Sequence, residues 1–139
     1  MLHTIHNPAI RGFDFSPDDL ELATVSNDGM LRTWRVADGI ELTSVHAHDV
    51  SANGVAYTPD GKTIATVGSD GFFRCWRRDI LQQTLEVPFR ARLFFLKFSP
   101  DGTSAAVQDG SGRLFLLSTQ PTRETRVVVA APVGLTNGT

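Results

Sequence analysis

Thr66-Val67-Gly68-Ser69-Asp70-Gly71-Phe72-Phe73-Arg74-Cys75-Trp76 decides the fold, because the chain writes the same pattern twice. Forty-two residues earlier stands Thr24-Val25-Ser26-Asn27-Asp28-Gly29-Met30-Leu31-Arg32-Thr33-Trp34, with Thr, Asp-Gly and Trp at matching places. Upstream of each stretch lies a second signal. Phe15-Ser16-Pro17-Asp18 returns as Tyr57-Thr58-Pro59-Asp60 and again as Phe98-Ser99-Pro100-Asp101, at intervals of 42 and 41 residues. The chain is therefore built from about three copies of one unit.

The second copy reads most cleanly. Val55 to Tyr57 is a short apolar strand, and Thr58-Pro59-Asp60-Gly61 suits a type I turn, with Pro second and Gly fourth. Thr63 to Val67 is rich in β-branched residues, and Phe72 to Trp76 follows the turn Gly68-Ser69-Asp70-Gly71. Gln83 to Val87 completes four strands. The first copy repeats this with Ile10–Phe15, Leu22–Val25, Leu31–Val36 and Glu41–Val45. The third has Leu93–Phe98, Thr103–Gln108, Arg113–Leu117 and Thr125–Val129, and no segment reads as a helix. Four short strands per unit of about forty residues describe an antiparallel propeller blade. The fold class expected is all-β: a partial propeller of about three blades over residues 1–129, at 6–45, 48–87 and 89–129, with a tail at 130–139.

Composition excludes several functions. A formal net charge of -2 offers no electrostatic reason to expect nucleic acid or an anionic membrane. The lone cysteine, Cys75, cannot form an internal disulfide, and no apolar run approaches the roughly 20 residues of a membrane span. The N-terminus lacks the pattern of a signal peptide, so a cytoplasmic address is the expectation.

The repeats resemble the WD-repeat β-propeller family over roughly residues 2–129. In that family a blade often holds a buried tetrad of His, Ser or Thr, Asp and Trp. His6, Thr24, Asp28 and Trp34 stand at successive spacings of 18, 4 and 6, and so do His48, Thr66, Asp70 and Trp76. The chemistry is self-consistent: indole N–H only donates, a hydroxyl does both, imidazole has one donor and one acceptor, and carboxylate only accepts. A relay from Trp to Thr to His to Asp is expected. Two departures stand out. Arg35 and Arg77 follow the tryptophans where the family has Asp, and Ile5 and Ala47 precede the histidines where it has Gly. In the third copy the same offsets fall on Phe89, Val107, Ser111 and Leu117, so an apolar cluster is expected to replace the tetrad.

Other chemistry finds little support. His3 with His6 and His46 with His48 suggest a metal, but no further ligand spacing accompanies them. There is no nucleophile elbow or phosphate loop, and Gly110-Ser111-Gly112 reads as a hairpin turn. Asp18, Asp19 and Glu21 lack a calcium-loop pattern. The expectation is no enzyme, cofactor or metal.

The resemblance implies a non-catalytic scaffold that binds protein partners through the face carrying the His and Asp loops. The contact residues expected there are Arg11, Asn53, Arg90 and Arg92. Rival readings are an accessory propeller of a larger enzyme or regulator, and a nucleic-acid-associated propeller. Three blades leave open end faces, with Phe72, Phe94 and Phe115 available to line them. An excerpt of a longer protein is favoured, with self-association or another chain completing the ring as alternatives, and Met1 to Ile5 as part of a neighbouring blade's strand.

Overall fold

The computed structural model describes residues 8–119 and the backbone of 127–130. Among the described residues twelve strands form three antiparallel four-stranded sheets, each a meander in chain order. The first blade holds β1 (Ile10–Phe15), β2 (Glu21–Ser26), β3 (Met30–Arg35) and β4 (Glu41–His46). The second holds β5 (Ala52–Tyr57), β6 (Thr63–Gly68), β7 (Phe72–Arg77) and β8 (Gln83–Pro88). The third holds β9 (Leu93–Phe98), β10 (Ser104–Asp109), β11 (Leu114–Ser118) and β12 (Val127–Ala130). His6 and His3, the first five residues and the tail after Ala130 lie outside the described residues.

The tight turns explain why these segments pair locally. In each copy a hydroxyl, Ser16, Thr58 or Ser99, donates to the carboxylate two residues on, at 2.6, 2.7 and 2.8 Å. That carboxylate then accepts the N–H two residues further, from Leu20, Lys62 or Thr103. Strand β5 runs three residues longer than the sequence reading. Ala52, Asn53 and Gly54 join it because a β-bulge at Asn53 absorbs residues of low strand propensity.

Inner strands β1, β5 and β9 lie side by side, and apolar cores fill the spaces between blades. Ala23, Val25 and Leu31 of the first blade meet Val55, Tyr57, Ile64 and Trp76 of the second. Ala65, Val67, Phe73 and Cys75 of the second meet Leu93, Val107, Phe115 and Leu117 of the third. Burial pushes the Cys75 thiol up to about 12, so it packs as a small apolar group.

Register shows how the blades converge. Across the first blade, Gly12 aligns with Val25, Leu31 and Val45; across the second, Gly54 aligns with Val67, Phe73 and Val87. The row is narrowest at the inner strand because the next backbone arrives there. A Cβ on Gly12 would lie 3.0 Å from the Asn53 carbonyl oxygen, and one on Gly54 3.0 Å from that of Phe94. The third blade inverts this order. Phe95, 66% exposed, takes the glycine position and aligns with Gln108 and Leu114.

The expected lining of the end faces needs correction. Phe115 is 7% exposed and packs edge-on against Phe89 with ring centroids 5.0 Å apart, inside the core between the second and third blades. Phe72 and Phe94 are half-buried. The large apolar side chains left exposed include Phe13 and Phe15 on the first blade and Phe95, Leu114 and Leu116 on the third. Period-two alternation puts Phe115 on one face of β11, but cannot say which face meets a neighbour.

Candidate interaction surface

The segments entering the inner strands and the turns joining second to third strands form one rim, held from below by hydrogen bonds. In the second blade the structure brings His48, Thr66, Asp70 and Trp76 together. Trp76 Nε1 donates to Thr66 Oγ1 at 3.0 Å, and Thr66 Oγ1 lies 2.8 Å from His48 Nε2. His48 Nδ1 lies 2.9 Å from Asp70 Oδ1. A fifth residue bears on the tautomer, because Arg74 Nη1 lies 3.1 Å from His48 Nδ1. Arg74 Nη1 has two hydrogens, and both have acceptors, Ala47 O at 2.9 Å and Asp70 Oδ2 at 3.0 Å. His48 Nδ1 therefore keeps its own proton for Asp70, and Nε2 accepts from Thr66.

Asp70 accepts four hydrogen bonds, completed by Phe72 N on Oδ1 and Asp49 N on Oδ2, each at 3.2 Å. Burial would raise its pKa, yet the bonds from Arg74 and His48 outweigh this and hold it below the usual carboxylate range. Burial lowers the pKa of His48, only partly offset by Asp70, so the imidazole is neutral at pH 7.

The first blade repeats part of this: Trp34 Nε1 donates to Thr24 Oγ1 at 2.9 Å. His6 lies outside the described residues, and Asp28 closes a local cage. It accepts from Ser26 at 2.5 Å and from Arg32 at 3.0 Å. Burial would raise its pKa, and these bonds hold it at about 2. In the third blade, Val107 and Leu117 are fully buried with Phe89 against them. Here the carboxylate has moved. Asp109, not position 111, accepts from Ser111 N and Oγ and from Arg113 N and Nε, at 2.8 to 3.0 Å.

The four expected contact residues fall into two groups. Arg11 and Asn53 line a groove of about 730 Å³ along β1, β5 and β9. Arg11 is exposed at a bulge equivalent to that of Asn53. Asn53 is 4% exposed, and its amide donates to Ser69 Oγ and Leu93 O, each at 2.9 Å, while Ser51 donates to its oxygen. Its polar atoms are thus engaged within the chain, tying the second blade to the third. Arg90 and Arg92 are exposed beside a cleft of about 320 Å³, shared with Ser69, Asp70, Gly71, Phe89 and Ala91. Their segment is pinned at both ends: Phe89 N donates to Gly71 O at 2.7 Å, and Gly110 N to Arg92 O at 3.1 Å. His46 is exposed, His48 belongs to the network, and among the described residues no three His, Cys, Asp or Glu gather as a metal site.

Comparison with known proteins now gives this geometry a family. The family described as WD domain, G-beta repeat, matches residues 1–35 and 39–77, more than half of the chain. The chain belongs to the WD-repeat family. No curated protein sequence matches it. Among solved structures, it is similar to the β-propeller domain of Cps50 (Swd1) from Myceliophteria thermophila, with a TM-score of 0.79 at 17% identity, covering 91% of this chain and 41% of that one. The RRP9 WD40 repeats match with a TM-score of 0.79 at 18% identity, over 88% of this chain and 39% of that one. U3-55K matches with a TM-score of 0.79 at 17% identity, over 88% and 40%. The chain thus spans about two fifths of the length of these structures.

Reading the sequence for WD-repeat tetrads missed the arginine four residues after each turn aspartate. Asp28 with Arg32, Asp70 with Arg74 and Asp109 with Arg113 are ion pairs at 3.0 Å. The signal was present as Asp-Gly followed by Arg at a constant offset, and it survives in the third WD repeat where the His, Thr and Trp do not. Arg78, just after β7, is 17% exposed in its side chain and clasps the first blade, pairing with Asp18 at 3.0 Å and Glu21 at 3.1 Å.

Proposed function

We propose that this WD-repeat chain is a non-catalytic protein-interaction scaffold whose contact surface is the rim at the entry to the inner strands. One observation carries the reading. The groups that would do chemistry elsewhere are consumed in holding the rim: His48 and Asp109 are buried and Asp70 half-buried, all with their bonds satisfied, and Cys75 is buried and protonated. What projects from that rigid support is side chains with no partner among the described residues, which is how a recognition surface is built on a scaffold. The WD-repeat family generally serves as such a scaffold. A cytoplasmic address belongs to the same proposal.

The test compares two variants in partner retention from cognate extract, quantified by mass spectrometry. Arg11→Ala/Arg90→Ala/Arg92→Ala strips the rim, and Asp60→Ala/Asp101→Ala alters the opposite turns. Asn53 is left intact because its loss would act on the fold. The proposal expects the retained set to be lost with the rim variant alone, and an identical set on both variants would sink it.

A further inference from the structure

Among the described residues most arginines are paired. Arg32, Arg35, Arg74, Arg77, Arg78 and Arg113 each lie within 4.0 Å of a carboxylate. Among the described residues the arginines that pair with none are Arg11, Arg90 and Arg92, and all three stand at the entry to an inner strand. A guanidinium presents five donors in a rigid fork that fits carboxylate oxygens two at a time. Unpaired forks at the entries to β1 and β9, in two separate clefts, leave donors for anions while forks elsewhere are neutralised.

The site is also preorganised. Arg90 and Arg92 flank Ala91 on the segment pinned by Gly71 and Gly110, so the backbone is held before any ligand arrives. Ser69 Oγ, in the same cleft, accepts from Asn53 and keeps its own proton to donate. Arg11 rises from a bulge, a device that re-aims a side chain. The rim also carries negative charge. Asp70 is neutralised by Arg74 and Asp49 is exposed, while Asp14, at the far end of β1, accepts from Tyr57 N. A polyanion with a charge at every few ångströms along its length would meet that acid, whereas a peptide with a few spaced carboxylates need not.

Resting on the reading of this rim as the contact surface, we propose that Arg90 and Arg92, with Arg11 beyond them, receive an acidic peptide segment of a partner protein. Carboxylates of that segment lie on the two guanidiniums of the pinned loop, and Ser69 donates to one of them. Arg11 holds a further acid in the separate groove along β1, β5 and β9.

The probe is a fluorescein-labelled ten-residue peptide of alternating glutamate and glycine, titrated by fluorescence anisotropy with the full chain. Binding is expected to weaken about tenfold or more in Arg90→Gln/Arg92→Gln and several-fold in Arg11→Gln. Arg90→Lys/Arg92→Lys is expected to recover part of it, since charge returns without the fork. Arg35→Gln/Arg77→Gln, which removes paired arginines outside the rim, is expected to change nothing. Raising NaCl from about 50 to about 300 mM weakens exposed ion pairs and the complex with them. All rim variants are expected to melt like the parent, because the three side chains have no ion pair among the described residues to lose. Absence of peptide binding, or equal loss in Arg35→Gln/Arg77→Gln, overturns the proposal. Tighter binding of a single-stranded oligonucleotide of equal charge overturns it in favour of nucleic acid. Its failure leaves the scaffold reading standing, because that reading is judged by protein retention and not by ligand charge.

Discussion

Replacing Thr66 by Val keeps shape and volume but removes one oxygen from the centre of the second blade's relay. Thr66 is fully buried, so no water enters to compensate. Two groups lose their partner: the Trp76 indole N–H at 3.0 Å and His48 Nε2 at 2.8 Å. Each stranded buried group costs about 1–3 kcal/mol, and the two are coupled through one atom, so about 2–4 kcal/mol is expected. With a urea m-value of about 2 kcal/mol/M, the unfolding midpoint falls by about 1–2 M while m stays constant. Thr84→Val, at an exposed site on β8, is the control and should shift stability by less than about 0.5 kcal/mol. Adding Trp76→Phe to Thr66→Val removes one of the stranded groups, so the double variant should lose less than the sum of the singles. Coincident midpoints for Thr66→Val and Thr84→Val, or full additivity in the double, would show that these short distances carry no energy.

Three further outcomes follow from the same geometry. Because burial depresses the pKa of His48, the unfolded chain binds a proton at higher pH than the native one. Stability contributed by neutral His48 is therefore complete above the unfolded value of about 6.5 and lost as pH falls through the folded value; the urea midpoint should drop between pH 7.5 and 5, less so in His48→Gln. Gly29→Ala places a Cβ 2.1 Å from the His48 carbonyl oxygen at a φ of +82°, whereas Gly112→Ala at +90° meets nothing within 4 Å. Both incur backbone strain of about 1–3 kcal/mol, and thermal melts should show Gly29→Ala as clearly the worse. Cys75, buried with its thiol held near 12, should react with a thiol reagent at a rate set by unfolding, slowly in buffer and at once in urea; rapid native reaction would contradict its packing.

The stretch from Thr66 to Trp76 and its earlier copy were enough to specify the sheet, because hairpin turns and period-two alternation are local. Spacings of 4 and 6 place Thr, Asp and Trp within one hairpin, and the spacing of 18 returns His to its edge. The all-β class, the repeat and the apolar replacement at Val107 and Leu117 were legible for that reason. The move of the turn acid from position 111 to Asp109 was not, since a fixed offset cannot see that Ser111 and Asp109 close the same cage with roles exchanged.

Everything between blades needed the tertiary structure. The rotation of one sheet against the next decides that Gly12 and Gly54 are approached by backbone, that Phe115 is core while Phe95 is exposed, and that Arg78 reaches back 60 residues to Asp18. It also decides which arginines find carboxylates and which do not, and that Asn53 turns inward to Leu93 while Arg11, one repeat earlier, faces solvent. A periodic sequence states what each unit contains. How neighbouring units face each other depends on contacts some 40 residues apart, and only packing assigns those.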